Sequence, residues 1–159
     1  MKEIRTKIEI DATPEQVWEV LTDFESYPDW NPLITSVSGD AAPGLRVSMR
    51  LEPPGRPAMT IKPTVLRSEP GREFRWLGRA GLPRIFDGEH VFELSPTADG
   101  GTTLLHREEF RGVLVWPFLA WIGGSTETGF GAMNEALKAR VEARAGGVPV
   151  DQPEVAAAT

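Results

Sequence analysis

The chain has 159 residues, 40% of them hydrophobic and 25% charged, with a net charge of −6 and no cysteine. One domain with a substantial core accommodates that length, and disulfides and thiolate chemistry are excluded. The negative balance argues against nucleic acid, whose phosphates need clustered Lys and Arg, and the longest apolar run, VLVWPFLAWI at 113–122, is too short to span a bilayer.

The opening MKEIRTKIEID alternates charged and apolar residues, unlike a signal peptide. With the missing cysteines this fits a cytoplasmic protein without stable membrane insertion. Ile4, Thr6, Ile8 and Ile10 share one face of a first strand, at 3–11. DATPEQVWEVLTDF then predicts a helix to about Asp23. Thr13 suits the N-cap and Pro14 the first helical position, while Val17, Val20, Leu21 and Phe24 recur at helical spacing. ESYPDWNP, broken by Pro28 and Pro32, predicts a second short helical turn or a loop.

Six strand-like runs follow, at 33–39, 45–51, 59–66, 73–77, 86–94 and 102–110. Gly-, Pro- and Asp-rich turns separate them, as in an antiparallel meander, and Pro63 predicts a bulge or an edge. The last element is a long helix in ETGFGAMNEALKARVEARAGG. Phe130, Met133, Leu137 and Val141 form its apolar stripe, Asn134 and Arg140 are expected beside the stripe in solvent, and Gly123-Gly124 are expected to separate this helix from the WPFLAW segment. The expected domain is 1–145, and 146–159, with two prolines and no periodicity, is expected to be a mobile tail.

Seven antiparallel strands make a sheet about 34 Å wide, whereas one helix is only about 10–12 Å across. An α+β fold of this kind closes only if the sheet curls around the helix, and the curl tends to leave an internal cavity. Meander connectivity gathers the two short helices, the EPPGRP and GRAGLP turns and the segment after Phe110 at one end. There Trp30, Leu82, Pro83, Trp116 and Phe118 are candidates for a rim or lid, or for residues that simply seal the core.

The chain's two histidines sit in consecutive strands. Phe86, Gly88, His90, Phe92 and Leu94 share one face of FDGEHVFEL, and Leu104, His106, Glu108 and Phe110 share one face of TTLLHREEF. Directly paired residues of an antiparallel hairpin point the same way. A pairing sum of 196 sets His90 opposite His106, and a sum of 198 sets it opposite Glu108. Either register keeps the three groups within side-chain reach. The cluster can be a buried, self-satisfied polar set, a polar grip for a ligand in an apolar cavity, an acid–base pair, or a two-His, one-Glu metal site. No P-loop, dinucleotide fingerprint or Ser-His-Asp arrangement is present, and no motif asks for a cofactor or a metal.

VWEVLTDFESYPDWNP, FDGEHVFEL, HREEFRGVL and GFGAMNEALKARVE together resemble the SRPBCC superfamily, in its polyketide cyclase/dehydrase-type branch, kin to START lipid-transfer domains and the birch-pollen-allergen fold. The resemblance covers residues 1 to about 145. It implies a helix-grip fold: a curved seven-stranded antiparallel sheet around a long C-terminal helix, two short helices between strands 1 and 2, and a hydrophobic cavity. Lipids, sterols, quinones or polyketides are the ligands it implies. A minority of members catalyse cyclisation or dehydration, with catalytic residues not shared across the branch.

The expected function is therefore binding of a hydrophobic small molecule, a lipid, quinone, aromatic or polyketide-like compound. The alternatives are a cyclase or dehydratase using His90, His106 and Glu108 as acid and base, and a protein-interaction module without a cavity. The candidate binding residues are Trp30; Met49 and Ile61; Phe74 and Trp76; Phe86, His90 and Phe92; Leu104, His106, Glu108 and Phe110; Trp116; and Phe130, Met133 and Leu137. The oligomeric state is left open, a homodimer included.

Overall fold

The computed structural model describes residues 2–79 and 84–147. Strand β1 (Lys2–Ile10) leads into α1 (Pro14–Thr22), a 3₁₀ turn (Phe24–Ser26) and α2 (Tyr27–Trp30). Seven strands follow: β2 (Ile34–Ser38), β3 (Ser48–Leu51), β4 (Met59–Ile61), β5 (Thr64–Glu69), β6 (Glu73–Arg79), β7 (Asp87–Pro96) and β8 (Thr102–Arg111). The helix α3 (Val115–Ala145) comes last.

The helix start at Thr13 is a full capping box. Its hydroxyl accepts from the Gln16 amide while the Gln16 side chain accepts from the Thr13 amide, so two orphan donors of the first turn are satisfied reciprocally. ESYPDWNP folds as the 3₁₀ turn and α2, locked by the buried Tyr27 hydroxyl donating to the Leu21 carbonyl at 2.6 Å. The buried Asn31 carboxamide oxygen then accepts from the amides of Leu33 and Ile34 and turns the chain into β2.

The strands order β1-β8-β7-β6-β5 in one antiparallel sheet and β2-β3-β4 in a second. The expectation of one seven-stranded sheet is corrected to eight strands in two sheets. The run at 59–66 divides at Lys62–Pro63, because Pro63 has no N–H to continue the ladder. The sheets still meet across that break. Val47 N–H donates to the Pro63 carbonyl and Val65 N–H to the Leu45 carbonyl, and Arg46 bridges to Thr64. The curved surface is therefore nearly continuous, as a helix-grip requires.

Helix α3 packs against β1, β8, α1 and α2. It runs unbroken through Gly123 and Gly124, which overturns the expected interruption. An interior glycine costs about 1 kcal/mol relative to alanine, too little to stop a helix of 31 residues whose later turns are held by the core. At Gly129 the missing side chain serves packing, since a Cβ there would lie 2.8 Å from Leu33 Cδ1. The outer face of the large sheet carries an ion-pair lattice. Arg75 bridges Glu73 and Glu89, and Arg107 bridges Glu93 and Glu109.

Candidate functional site

The β7–β8 register sums to 198, with His90 opposite Glu108 and Phe92 opposite His106. Continued across β6 and β1, it lays two inward-facing rows over the sheet. One row is Trp76, His90, Glu108 and Ile4; the next is Phe74, Phe92, His106 and Thr6. Aromatic rings enclose both imidazoles. Trp76 stacks on His90 with centroids 4.3 Å apart, and Phe130 stacks on His106 at 4.0 Å.

Hydrogen bonds fix the protons in this cluster. The Thr6 hydroxyl donates to the His106 backbone carbonyl at 3.2 Å, so its oxygen accepts from Asn134 Nδ2 at 2.9 Å. The amide orientation that results presents Asn134 Oδ1 to His106 Nδ1 at 2.7 Å, and Nδ1 carries the proton. Neutral His106 therefore offers a bare Nε2, which accepts the proton of His90 Nε2 across 2.6 Å. His90 is left with a bare Nδ1, 3.7 Å from Glu108 Oε2. The chain of donors runs one way, from the site's polar end inward to Thr6.

Burial sets the charges to match. Desolvation pushes His90 down to about 3 and His106 well below its usual range, His106 further by the repulsion of a second imidazole. Both rings stay neutral. Glu108 is pushed up to about 7 by desolvation, so near neutrality its carboxyl holds a proton about half the time. A protonated carboxyl faces the one imidazole nitrogen able to accept it. Gly88 gives the carboxyl its room: a Cβ at that position would sit 2.6 Å from Glu108 Oε1.

Glu108 and His90 stand in the wall of a cavity of about 660 Å³ between β3, β4, the inner face of β6–β8 and the first half of α3. Of the candidate residues, Ile61, Trp76, Phe86, Phe110 and Phe130 also line it. Met49, Phe74, Phe92, Leu104, Met133 and Leu137 do not. They are fully buried in solid core. His106 lies behind His90, wholly buried. Trp30 packs against the core, its indole N–H reaching Ser26 Oγ at 3.3 Å, away from the cavity. Trp116 is 71% exposed and lies under the Lys2 ammonium at 4.1 Å, so it forms no part of the wall. Leu82, Pro83 and residues 148–159 lie outside the described residues, as does the side chain of Phe118.

Asn134 is the correction of most consequence. Expected in solvent, it is 3% exposed and bonded on both sides. The signal was available in the helical spacing, because Phe130, Asn134, Leu137 and Val141 stand at i, i+4, i+7 and i+11 and place a carboxamide inside the apolar stripe. Arg140 is also more enclosed than expected, its side chain 14% exposed and its nearest carboxylate Asp29 at 4.0 Å. Among the described residues no cluster of three or more His, Asp or Glu is placed to hold a metal ion. The two Nε2 atoms point at each other, not at a shared cation.

The sequence matches the family described as polyketide cyclase / dehydrase and lipid transport over residues 1–142. No curated protein matches the chain. Similar solved structures include an aromatase/cyclase from a Streptomyces species, at 16% identity and TM-score 0.70 over 91% of this chain and 95% of that one. A START superfamily protein from Mycobacterium smegmatis has 21% identity and TM-score 0.65 over 88% and 97%. A norcoclaurine synthase from Thalictrum flavum has 17% identity and TM-score 0.70 over 91% and 96%. At these identities the likeness is one of fold.

Proposed function

Because the chain belongs to the polyketide cyclase / dehydrase and lipid transport family, we propose that it binds a hydrophobic small molecule in the cavity beside Glu108. The ligand is a lipid, quinone, aromatic or polyketide-like compound. The observation that carries this reading is a hollow of about 660 Å³, within the usual range for small-molecule sites, whose wall inside the charged rim is mostly aromatic and aliphatic, with His90, Glu108, Ser125 and Thr126 among its polar members. Burying the ligand's apolar body contributes about 2.5 kcal/mol per 100 Å², before ordering costs. Protonated Glu108 donates a hydrogen bond to a ligand carbonyl or hydroxyl, and the aromatic cage keeps water from competing. Such an open interior disfavours a protein-interaction module, which would need its core filled.

Native mass spectrometry of protein purified without denaturation tests the reading. A non-covalent adduct that disappears on denaturation, and is lost in the cavity-filling variant Ile61→Trp, supports it. A bare protein mass, with no uptake of added hydrophobic compounds, contradicts it.

A second reading, an acid–base enzyme of the cyclase or dehydratase type, is favoured by one observation: the proton-bearing Glu108 sits 3.7 Å from the bare Nδ1 of His90. In such a reaction Glu108 protonates the leaving oxygen of the ligand, the bare Nδ1 of His90 takes a proton from the neighbouring ligand carbon, and that proton passes from His90 back to the Glu108 carboxylate. Glu108→Gln would then abolish turnover while ligand binding survives.

A further inference from the structure

The cavity is polar at two ends, and the two ends differ in charge. At depth it presents the neutral His90 and the carboxyl of Glu108. Glu108 is the one acidic side chain among its described lining residues, against four cations: Arg46, Arg56, Lys62 and Arg79. Arg46, Lys62 and Arg79 are exposed to solvent, so this positive charge lies on the outer rim, in a protein whose net charge is −6.

Arg79 is balanced by Asp87 at 3.6 Å. Arg46 and Lys62 are not so balanced, since neither has a carboxylate at ion-pair distance among the described residues. Arg46 directs its guanidinium Nε and Nη2 at the Lys62 carbonyl, at 3.4 and 3.2 Å. This holds the guanidinium against the Lys62 backbone, at the seam between the two sheets where Pro63 breaks the ladder, and both residues line the cavity there. Arginine on a carbonyl tether keeps other N–H groups for a planar anion.

Building on the hydrophobic-cavity reading, we propose that the natural ligand is an amphiphilic acid: an apolar body lying in the cavity and a carboxylate held at its mouth by Arg46 and Lys62. The apolar portion reaches inward past Ile61, Phe86 and Phe110 toward Glu108. Net negative charge elsewhere on the surface repels the head group, so the rim also sets the direction of entry.

The test is competition for the cavity at pH 8. N-phenyl-1-naphthylamine serves as the fluorescent probe, displaced by decanoate or by decan-1-ol, which share a chain length and differ in charge. Decanoate is expected to compete about five- to tenfold better, from two rim contacts each in the range of exposed ion pairs. That preference is expected to vanish in the Arg46→Gln/Lys62→Gln double variant and to shrink in 0.5 M NaCl, where screening is strong. Both side chains are exposed, so the double variant keeps the fold, and decanol binding is the control for it. Equal competition by the two compounds, or an unchanged preference in the double variant, overturns the anionic head group and leaves the hydrophobic cavity standing. Failure of both compounds, with no probe binding, overturns the cavity reading and this inference with it.

Discussion

The interior of this protein has a solid half and a hollow half, built from the same strands. In the solid half Phe74, Phe92, Leu104, Met133 and Leu137 are completely buried. The first helix and its 3₁₀ turn add a further layer there, bringing the rings of Trp18 and Phe24 within 6.2 and 5.8 Å of Phe74. In the hollow half the inward faces of β6 and β8 continue through Trp76 and Phe110, and Phe86 stands just before β7, yet a cavity of about 660 Å³ remains. The difference lies in what stands opposite. From α3 the cavity is lined by Phe130 and by the small side chains of Ser125 and Thr126, which leave the space opposite the strands unfilled. Binary patterning of strands tells which residues look inward; volume on the opposing element decides whether they touch anything.

Truncations sharpen this contrast most. Leu137→Ala in the solid half is expected to cost about 3–5 kcal/mol, as a new void in close-packed core. Ile61→Ala, beside space already empty, is expected to cost about 1 kcal/mol or less while weakening binding of hydrophobic compounds. Urea unfolding of the two variants checks both. Similar losses would mean that the hollow half closes in solution.

The border between the halves carries the titratable groups, and it gives a pH signature. Below its ordinary value of 4.5 Glu108 is protonated folded or unfolded. Between 4.5 and about 7 only the folded state keeps the proton, so this group's contribution is lost as pH rises through that window. Glu108→Gln is therefore expected to be more stable than the parent at pH 8, by up to about 3 kcal/mol. The histidines act in the opposite sense. Each is held below its ordinary 6.5, so stability falls by about 1.4 kcal/mol per pH unit and per ring as pH drops below 6.5. In the glutamine variant that fall is steeper, because the counterweight is gone. Stability curves from pH 5 to 8 that coincide for the two proteins would refute a buried, proton-bearing Glu108.

A smaller effect tests the proton ladder. Asn134→Ala leaves the Nδ1 proton of His106 without a partner and is expected to cost about 1–3 kcal/mol. It also frees the tautomer, so nitrogen-15 shifts of the His90 ring should move from a single Nε2–H form toward a mixture. Unchanged His90 shifts would show that Asn134 is packing alone.

Much of this arrangement could be read from the residues. Thr13-Pro14 announced a helix start, alternation gave the inward faces, and an even pairing sum brought His90, His106 and Glu108 together before the register was known. The register itself was not legible, because 196 and 198 bury the same faces and differ only in turn geometry. Asn134 was misread because a stripe defined by apolar residues alone passes over a polar member at the same spacing. Gly123-Gly124 looked like a break because local propensity says nothing of the tertiary support on the next three turns. Which half would be hollow depended on side chains from elements far apart in the chain, and no periodicity carries that.

Methyl-detected NMR of the protein titrated with N-phenyl-1-naphthylamine puts the central claim to its most direct trial. The expected result is saturable perturbation at one equivalent, with ligand-to-methyl contacts at Ile34, Leu51 and Ile61 and none at Leu104 or Leu137. Perturbations confined to the exposed Leu45 and Leu66 methyls, or none at all, would contradict a hydrophobic site inside this fold.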